Sequence, residues 1–411
     1  MNNDIDILWK SLNEYIGKYN GNISINNAIE AISNFNDNWK EITEYSCDRT
    51  NSIESLYGQS IVILEIATYE KTEITEHDIK RIEKLINEYD KNENVKYRFI
   101  TKQTLFLNLG LCWHRLGPLY DNRAIEALKK YVFYLVAISS QTKFRVTTFS
   151  FKRCNNYLYQ SLINEQLVVS SPTTFNDPFD CPIYELLKKG DEISDLIRQV
   201  YKDCLKIACF TSKEKLPKFD DNSEIVIDTK RNDLPYLDEL MWAHYADSHK
   251  GICIKYNFPN SLSLLFDEDT PTKISYFKDV KYSSDTLNNY SNKDNITLED
   301  AFFLKSKRWE YENELRYLYF DLDSKNLHET IDIPNCIESI YFGLKCSELD
   351  KKTIINIMKN KKSIIKDIHG NNEKEEPIKF YQMEFDENIF GKIKAVEINL
   401  EQNLFYNLPK E

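Results

Sequence analysis

The segment Trp309-Glu310-Tyr311-Glu312-Asn313-Glu314-Leu315-Arg316-Tyr317 sets two carboxylates and a guanidinium at alternating positions. Alternate residues of a strand share a face, so Glu312, Glu314 and Arg316 are expected to point the same way. Such a face is unfavourable unless it is wet or its charges are paired. An ion-paired strand edge is one reading. The other is a catalytic face, on which a carboxylate bonds a ribose hydroxyl and stabilises an oxocarbenium-like centre as a leaving group departs. Three further groups of residues could share such chemistry. Lys152-Arg153 ends a predicted strand and offers two cations to a phosphate or pyrophosphate. Ser170-Ser171-Pro172 leads into Phe175-Asn176-Asp177-Pro178-Phe179-Asp180, a rigid turn whose hydroxyls and carboxylates, Asn176 and Asp177 among them, can orient a sugar. In Leu240-Met241-Trp242-Ala243-His244-Tyr245-Ala246-Asp247-Ser248-His249-Lys250-Gly251, helical spacing puts Trp242, Tyr245 and His249 on one face. His244 can act as an acid/base group, and Trp242 or Tyr245 can stack on a base; a packed helix with a structurally satisfied histidine is the alternative. No P-loop, GxGxxG, GxSxG or zinc-ligand spacing occurs, so no metal is expected.

The elements that position these residues follow from periodicity. Residues 1 to about 142 read as helices, with apolar residues at helical spacing over 56–66, 79–86 (after the cap-like Thr75-Glu76) and 105–113. Leu105-Phe106-Leu107-Asn108-Leu109-Gly110-Leu111-Cys112-Trp113, followed by Ala124-Ile125-Glu126-Ala127-Leu128, resembles a single tetratricopeptide repeat. From about 143 to 411 the pattern becomes α+β. Strands are expected at 144–149, 167–170, 207–210, 251–256, 315–320 and 337–342, helices at 157–166 and 351–360, and exposed loops at 212–234, 283–297 and 359–377. The regular strand–helix alternation of a doubly wound fold is lacking, which points to a mixed or antiparallel sheet.

Bulk composition narrows the classes. The 411 residues are 42% apolar and 13% aromatic, enough for a sizeable core. A net charge of −12 argues against nonspecific binding of nucleic acid backbones. Nine cysteines without a CxxC motif suit a reducing cytoplasm. The polar, acidic residues 1–20 do not read as a signal peptide, and no apolar run approaches the roughly 18 residues of a membrane span.

Together the motifs at 167–180, 209–211, 241–254, 280–282, 305–316, 340–347 and 381–383 resemble a bacterial family labelled domain of unknown function 2971, over about residues 145–400. The first strand departs from that pattern: the family has aromatic–His/Lys–aromatic there, and this chain has Phe151-Lys152-Arg153-Cys154. The order of a basic strand end, a strand with serine, an Asn-Asp turn and a late Glu-x-Glu also resembles the layout of ADP-ribosyltransferases. That resemblance implies an NAD-cleaving transferase. Lys152 or Arg153 would hold the dinucleotide, Ser170 or Ser171 would support the nicotinamide region, and Glu314 with Glu312 would bond the nicotinamide ribose. It also implies an anti-phage effector or toxin whose helical domain senses a trigger or holds a partner. Two other expectations stand beside it. One is a nucleotide- or protein-binding module without turnover; the other is a metal-dependent nuclease or hydrolase built on Asp177, Asp180 and Glu314.

Overall fold

The leucine- and aromatic-rich run Glu314–Asp321, ELRYLYFD, has no residue left exposed, so it forms an interior strand covered on both faces. It belongs to the larger part of an α+β architecture. The computed structural model describes residues 74–90, 99–139, 146–175, 177, 180–181, 192–214, 218–219, 225–226, 234–259, 265–266, 272–284, 302–366 and 373–400. The chain divides into two compact units. One comprises Met1–Ser139, Leu187–Tyr201 and Glu268–Thr270; the other comprises Ser140–Leu186, Lys202–Asp267 and Pro271–Glu411.

The described part of the first unit is helical: α1 (Glu76–Asp90), α2 (Phe99–Arg115) and α3 (Asp121–Ser139). Thr75 and Asp78 cap α1 reciprocally, the Asp78 N–H bonding Thr75 Oγ1 and the Thr75 N–H bonding Asp78 Oδ2. Helices α2 and α3 pack closely where Gly110 meets Leu128; a Cβ at Gly110 would lie 2.8 Å from Leu128 Cγ. The helical segment expected at 56–66 lies outside the described residues.

The second unit is built on an eleven-stranded sheet. Its elements in chain order are β1 (Val146–Lys152), α4 (Asn156–Asn164), β2 (Gln166–Ser170), α5 (Glu192–Cys204), whose last residues belong to this unit, β3 (Leu205–Thr211) and α6 (Glu239–Tyr245). They continue with β4 (Ile252–Phe258), β5 (Leu265–Phe266), β6 (Lys273–Asp279), β7 (Glu314–Asp321), β8 (His328–Asp332), β9 (Ile337–Phe342), α7 (Glu348–Met358), β10 (Lys379–Phe385) and β11 (Ile393–Glu397). The strand order is β11-β10-β9-β4-β1-β3-β7-β6-β5, with β8 and β2 branching from β3. All neighbours are antiparallel except β9 and β10. One core packs Phe210, Tyr256, Phe258, Phe277 and Tyr317 with the aliphatic faces of α4 and α7. A second gathers Phe149, Phe151, Trp242 and Tyr341 under α6.

Most of the expected strands form within a residue or two, but four expectations need correction. The stretch 212–234 is not a loop throughout, since Lys218–Phe219 and Ile225–Val226 pair antiparallel. The stretch 359–377 is not a loop throughout: Lys362–Lys366 and Glu373–Pro377 pair as an antiparallel hairpin, two strands whose many charged residues hide the β pattern. Helix α6 ends at Tyr245, so His249 does not continue its Trp242–Tyr245 face; it sits in a turn with φ of 69°. Finally, Glu312 is not in a strand. It closes a 3-10 helix, Lys307–Glu312, and Asn313 turns the chain through the left-handed region before β7 begins at Glu314. Asparagine tolerates that conformation at small cost, and its side-chain N–H anchors the turn on the Tyr311 carbonyl at 3.0 Å.

Candidate functional site

The central strands do not close fully. Among the described residues β1 meets β3 at one pair, Phe149–Thr211, and β2 meets β3 at one pair, Ser170–Ile207. Beyond these points β1 swings away, and a cleft of about 410 Å³ opens along the edge of β3. One wall carries Ser150 and Lys152, another Val168 and Ser170, the floor Ile207 and Cys209, and the far end Tyr245, Lys305, Glu312 and Glu314. The unpaired strand edges leave backbone N–H and C=O groups facing this space, which favours polar ligands.

The far end is a buried ionic cluster built from four segments. Glu314 begins β7, and its N–H donates to the Tyr282 hydroxyl at 2.7 Å. Two residues on, Arg316 points the same way and returns to it, Nε to Oε1 at 2.8 Å and Nη2 to Oε2 at 3.1 Å. Lys305 comes from the short strand Leu304–Ser306, which pairs in parallel with Lys281–Ser283 and stands opposite Tyr282. Its ammonium reaches Glu312 at 2.6 Å, Glu314 at 3.1 Å and Asp180 at 3.4 Å. Arg316 also donates to Asp180 Oδ1 at 2.6 Å, to the Phe302 carbonyl at 2.6 Å and to Cys181 Sγ at 2.9 Å, with Phe175 beneath its guanidinium. The Tyr245 hydroxyl donates to Glu312 Oε1, and Thr211 Oγ1 donates to the Glu312 carbonyl at 2.6 Å. Three carboxylates thus surround two cations with little exposed surface; Arg316 is 0% and Glu314 4% exposed.

The electrostatics separate the two glutamates. Burial works to raise the Glu314 pKa, but Arg316 and Lys305 outweigh it and hold the carboxyl at about 2. Glu314 is an anion at any physiological pH. Burial raises the Glu312 pKa, and the Lys305 charge with the Lys305 and Tyr245 hydrogen bonds pulls it only partly back. Burial opposes the Lys305 charge, yet Glu314, Asp180 and Glu312 keep its pKa above the lysine range. Cys209 is exposed on the floor, but the surrounding protein desolvates it, and Glu314 adds to that; its pKa rises well above a normal thiol's, so it stays protonated. Lys152 is likewise accessible to solvent while crowded by protein, and this desolvation lowers its pKa.

The residues expected from sequence are therefore distributed as follows. Lys152, Ser170, Tyr245, Glu312 and Glu314 line the cleft. Arg316 lies behind it, bound to Glu314 and Asp180 rather than presented to a ligand. Ser171 is fully buried, its hydroxyl bonded to Thr173. Arg153 and His244 are exposed and do not line the cleft; the His244 ring lies 6.4 Å from that of Tyr311. Trp242 is completely buried, its indole N–H bonded to the Tyr236 carbonyl at 2.8 Å and its ring packed between Phe151 and His249. That packing leaves no face for a base. Asp177 is half-buried and its carbonyl accepts the Asp180 N–H, while Asn176 lies outside the described residues. Sequence reasoning gave no place in the site to Lys305, Tyr282, Cys209 or Cys181, and it weighed Asp180 as a sugar-orienting carboxylate of the turn or as a metal ligand, not as a partner of Arg316 and Lys305. Asp180 and Glu314 instead hold Lys305 and Arg316 between them, so cations stand where that metal would. Tyr282 and Lys305 are adjacent only because two three-residue strands pair, and such strands leave no periodic signal.

Comparison with known proteins adds one finding. No curated protein and no solved structure matches the chain. The resemblances to ADP-ribosyltransferases and to tetratricopeptide repeats therefore gain no support from that side. Residues 241–317 match the model of the family described as Protein of unknown function (DUF2971), and this segment supplies Tyr245, Tyr282, Lys305, Glu312, Glu314 and Arg316, six of the residues that build the ionic cluster.

Proposed function

We propose that the cleft binds NAD and that the protein is an ADP-ribosyltransferase-like enzyme, cleaving the nicotinamide–ribose bond and passing ADP-ribose to an acceptor. The observation that carries this reading is the charge distribution of the cleft: the Lys152 ammonium on one wall, and at the far end three carboxylates, Asp180, Glu312 and Glu314, around Lys305. Oxidised NAD offers an anionic pyrophosphate to Lys152 and, joined to it through a ribose with two free hydroxyls, a cationic nicotinamide to the carboxylates. A fixed anion at Glu314 would stabilise positive charge developing on the ribose as nicotinamide leaves. Glu312, with its raised pKa and its bond to Tyr245, is the group suited to exchange a proton with a ribose or acceptor hydroxyl. A role as an anti-phage effector or toxin, with the helical unit receiving a trigger or partner, belongs to the same proposal.

A second reading has its own support. Glu314 is fully engaged by Arg316 and Lys305, as in a structural clasp, and this suits a nucleotide- or protein-binding module without turnover. The test uses the full chain with NAD labelled on the adenylate, with and without cell lysate. Release of nicotinamide or transfer of label, lost in Glu314→Gln, is the expected result. Lys152→Ala stands outside the ionic cluster and should keep the melting temperature while weakening NAD binding roughly tenfold or more, as loss of a charged phosphate contact does. Intact NAD, together with a melting temperature that NAD does not raise, would rule the transferase out and leave the binding module.

A further inference from the structure

A second cluster with chemical potential lies in the sheet unit, among residues that do not line the cleft. Cys154 follows the end of β1 by two residues. Cys346 directly precedes Ser347, the N-cap of α7, and Asp350 stands in that helix's first turn. One ligand-type atom from each of Cys154, Cys346 and Asp350 lies within 4.8 Å of the others. Both cysteines are free thiols.

From this geometry we infer that Cys154, Cys346 and Asp350 form a three-ligand site for a zinc-class divalent cation, with a fourth coordination position open to water. In tetrahedral zinc the metal–sulfur distance is about 2.3 Å and the metal–oxygen distance about 2.0 Å. Neighbouring ligand atoms then stand roughly 3.5–3.8 Å apart by the same geometry. The observed cluster closes to that spacing with side-chain movements of about 1 Å. Two sulfurs and one oxygen favour zinc over magnesium or calcium, which take oxygen ligands. The supporting contacts are those of an oriented metal ligand. Tyr159 of α4 donates its hydroxyl to Asp350 Oδ1 at 2.5 Å, and Ser347 Oγ donates to Oδ2 at 2.6 Å. A capping interaction explains the Ser347 contact, since the Asp350 N–H also bonds Ser347 Oγ at 3.1 Å. It explains neither Tyr159 nor the two thiols converging on the same carboxylate.

Binding is a plain exchange. Two thiol protons leave to solvent, the cation takes two thiolates and a carboxylate, and the centre carries one net negative charge with no change of oxidation state. Such a centre would tie the end of β1, the strand that brings Lys152 to the cleft, to the start of α7. The sequence hid it because 192 positions separate the two cysteines, and no ligand spacing marks them.

The experiment uses the full chain, reduced, stripped with chelator and titrated with Co²⁺. One equivalent should produce thiolate-to-cobalt charge-transfer absorption and the intense visible bands of a tetrahedral site, and Zn²⁺ should erase both. Cys346→Ser should abolish the charge-transfer band. Tyr159→Phe leaves all three ligands in place and should weaken Co²⁺ binding about 10-fold to 100-fold. Zn²⁺ should raise the melting temperature of the parent chain and not that of Cys346→Ser. The inference falls if no charge-transfer band forms, or if the band survives unchanged in both Cys154→Ser and Cys346→Ser. It falls equally if the oxidised chain weighs two hydrogens less through a Cys154–Cys346 disulfide and the reduced chain takes up no cobalt. None of these readouts involves NAD, so the fate of this site and of the transferase reading are decided separately.

Discussion

Glu314 is a buried anion whose charge is balanced by Arg316 and Lys305. Its folded-state pKa of about 2 lies below the ordinary glutamate value of 4.5, so the folded chain binds that proton less readily than the unfolded chain. The resulting stability is fully present above about pH 4.5 and is lost as pH falls towards 2; the shift corresponds to about 3 kcal/mol. Glu312 acts in the opposite sense, because its raised pKa makes it easier to protonate in the folded state. Glu314→Gln should therefore lower stability near neutrality and flatten the denaturant-midpoint profile between pH 4.5 and 2, compared with the parent chain. Equal pH slopes for the two proteins would show that Glu314 is not held by Lys305 and Arg316 as described. At this scale the sequence was half legible. Period two placed Glu314 and Arg316 on one face, and they do meet. The partners that make the pair tolerable, Asp180 and Lys305, arrive from distant segments and could not be read from spacing.

Elements are held at the cleft by close backbone contact. Asp247, Ser248 and His249 all have positive φ, a costly run for L-residues that the surrounding structure must enforce. It is clamped by the Gly251 N–H on the Ala246 carbonyl at 2.8 Å and the Lys345 N–H on the His249 carbonyl at 2.9 Å. Gly343 lets the chains approach, since a Cβ there would stand 2.2 Å from the His249 carbonyl oxygen. Gly343→Ala should lower stability by about 3 kcal/mol, because backbone rather than a flexible side chain must yield. Ser248→Gly should raise stability by roughly 1 kcal/mol by relieving the left-handed strain. Thermal melts of the two variants should move in opposite directions; a neutral Gly343→Ala would show that the turn is not clamped. The helical spacing of Trp242, Tyr245 and His249 in the sequence did not show the early end of α6. Three left-handed residues are fixed by tertiary contacts, and composition does not announce them.

At the scale of the whole chain, the order of classes was readable and the division was not. A helical part followed by an antiparallel-rich sheet follows from the switch of apolar period near residue 143. The strands missed, such as β6 and β8, carry lysine, aspartate or histidine within short runs that blur alternation. A cut at 142/143 treats the units as consecutive, yet residues 187–201 and 268–270 group with the helical unit. Helix α5 buries Ile197, Val200 and Tyr201 to 5% exposure or less, at the spacing of a single helical face. A fragment of 143–411 would keep those side chains and lose residues 1–139 of their unit. Each such side chain contributes about 1.5–3 kcal/mol when buried, so exposing three of them is a large perturbation against a marginal net stability. The fragment should melt below the full chain and associate at concentrations where the full chain is monodisperse, as size-exclusion chromatography with light scattering would show. Replacing Ile197, Val200 and Tyr201 by polar residues in the fragment should restore monodispersity. A fragment that melts with the full chain and stays monomeric would instead place the burial of α5 within residues 143–411.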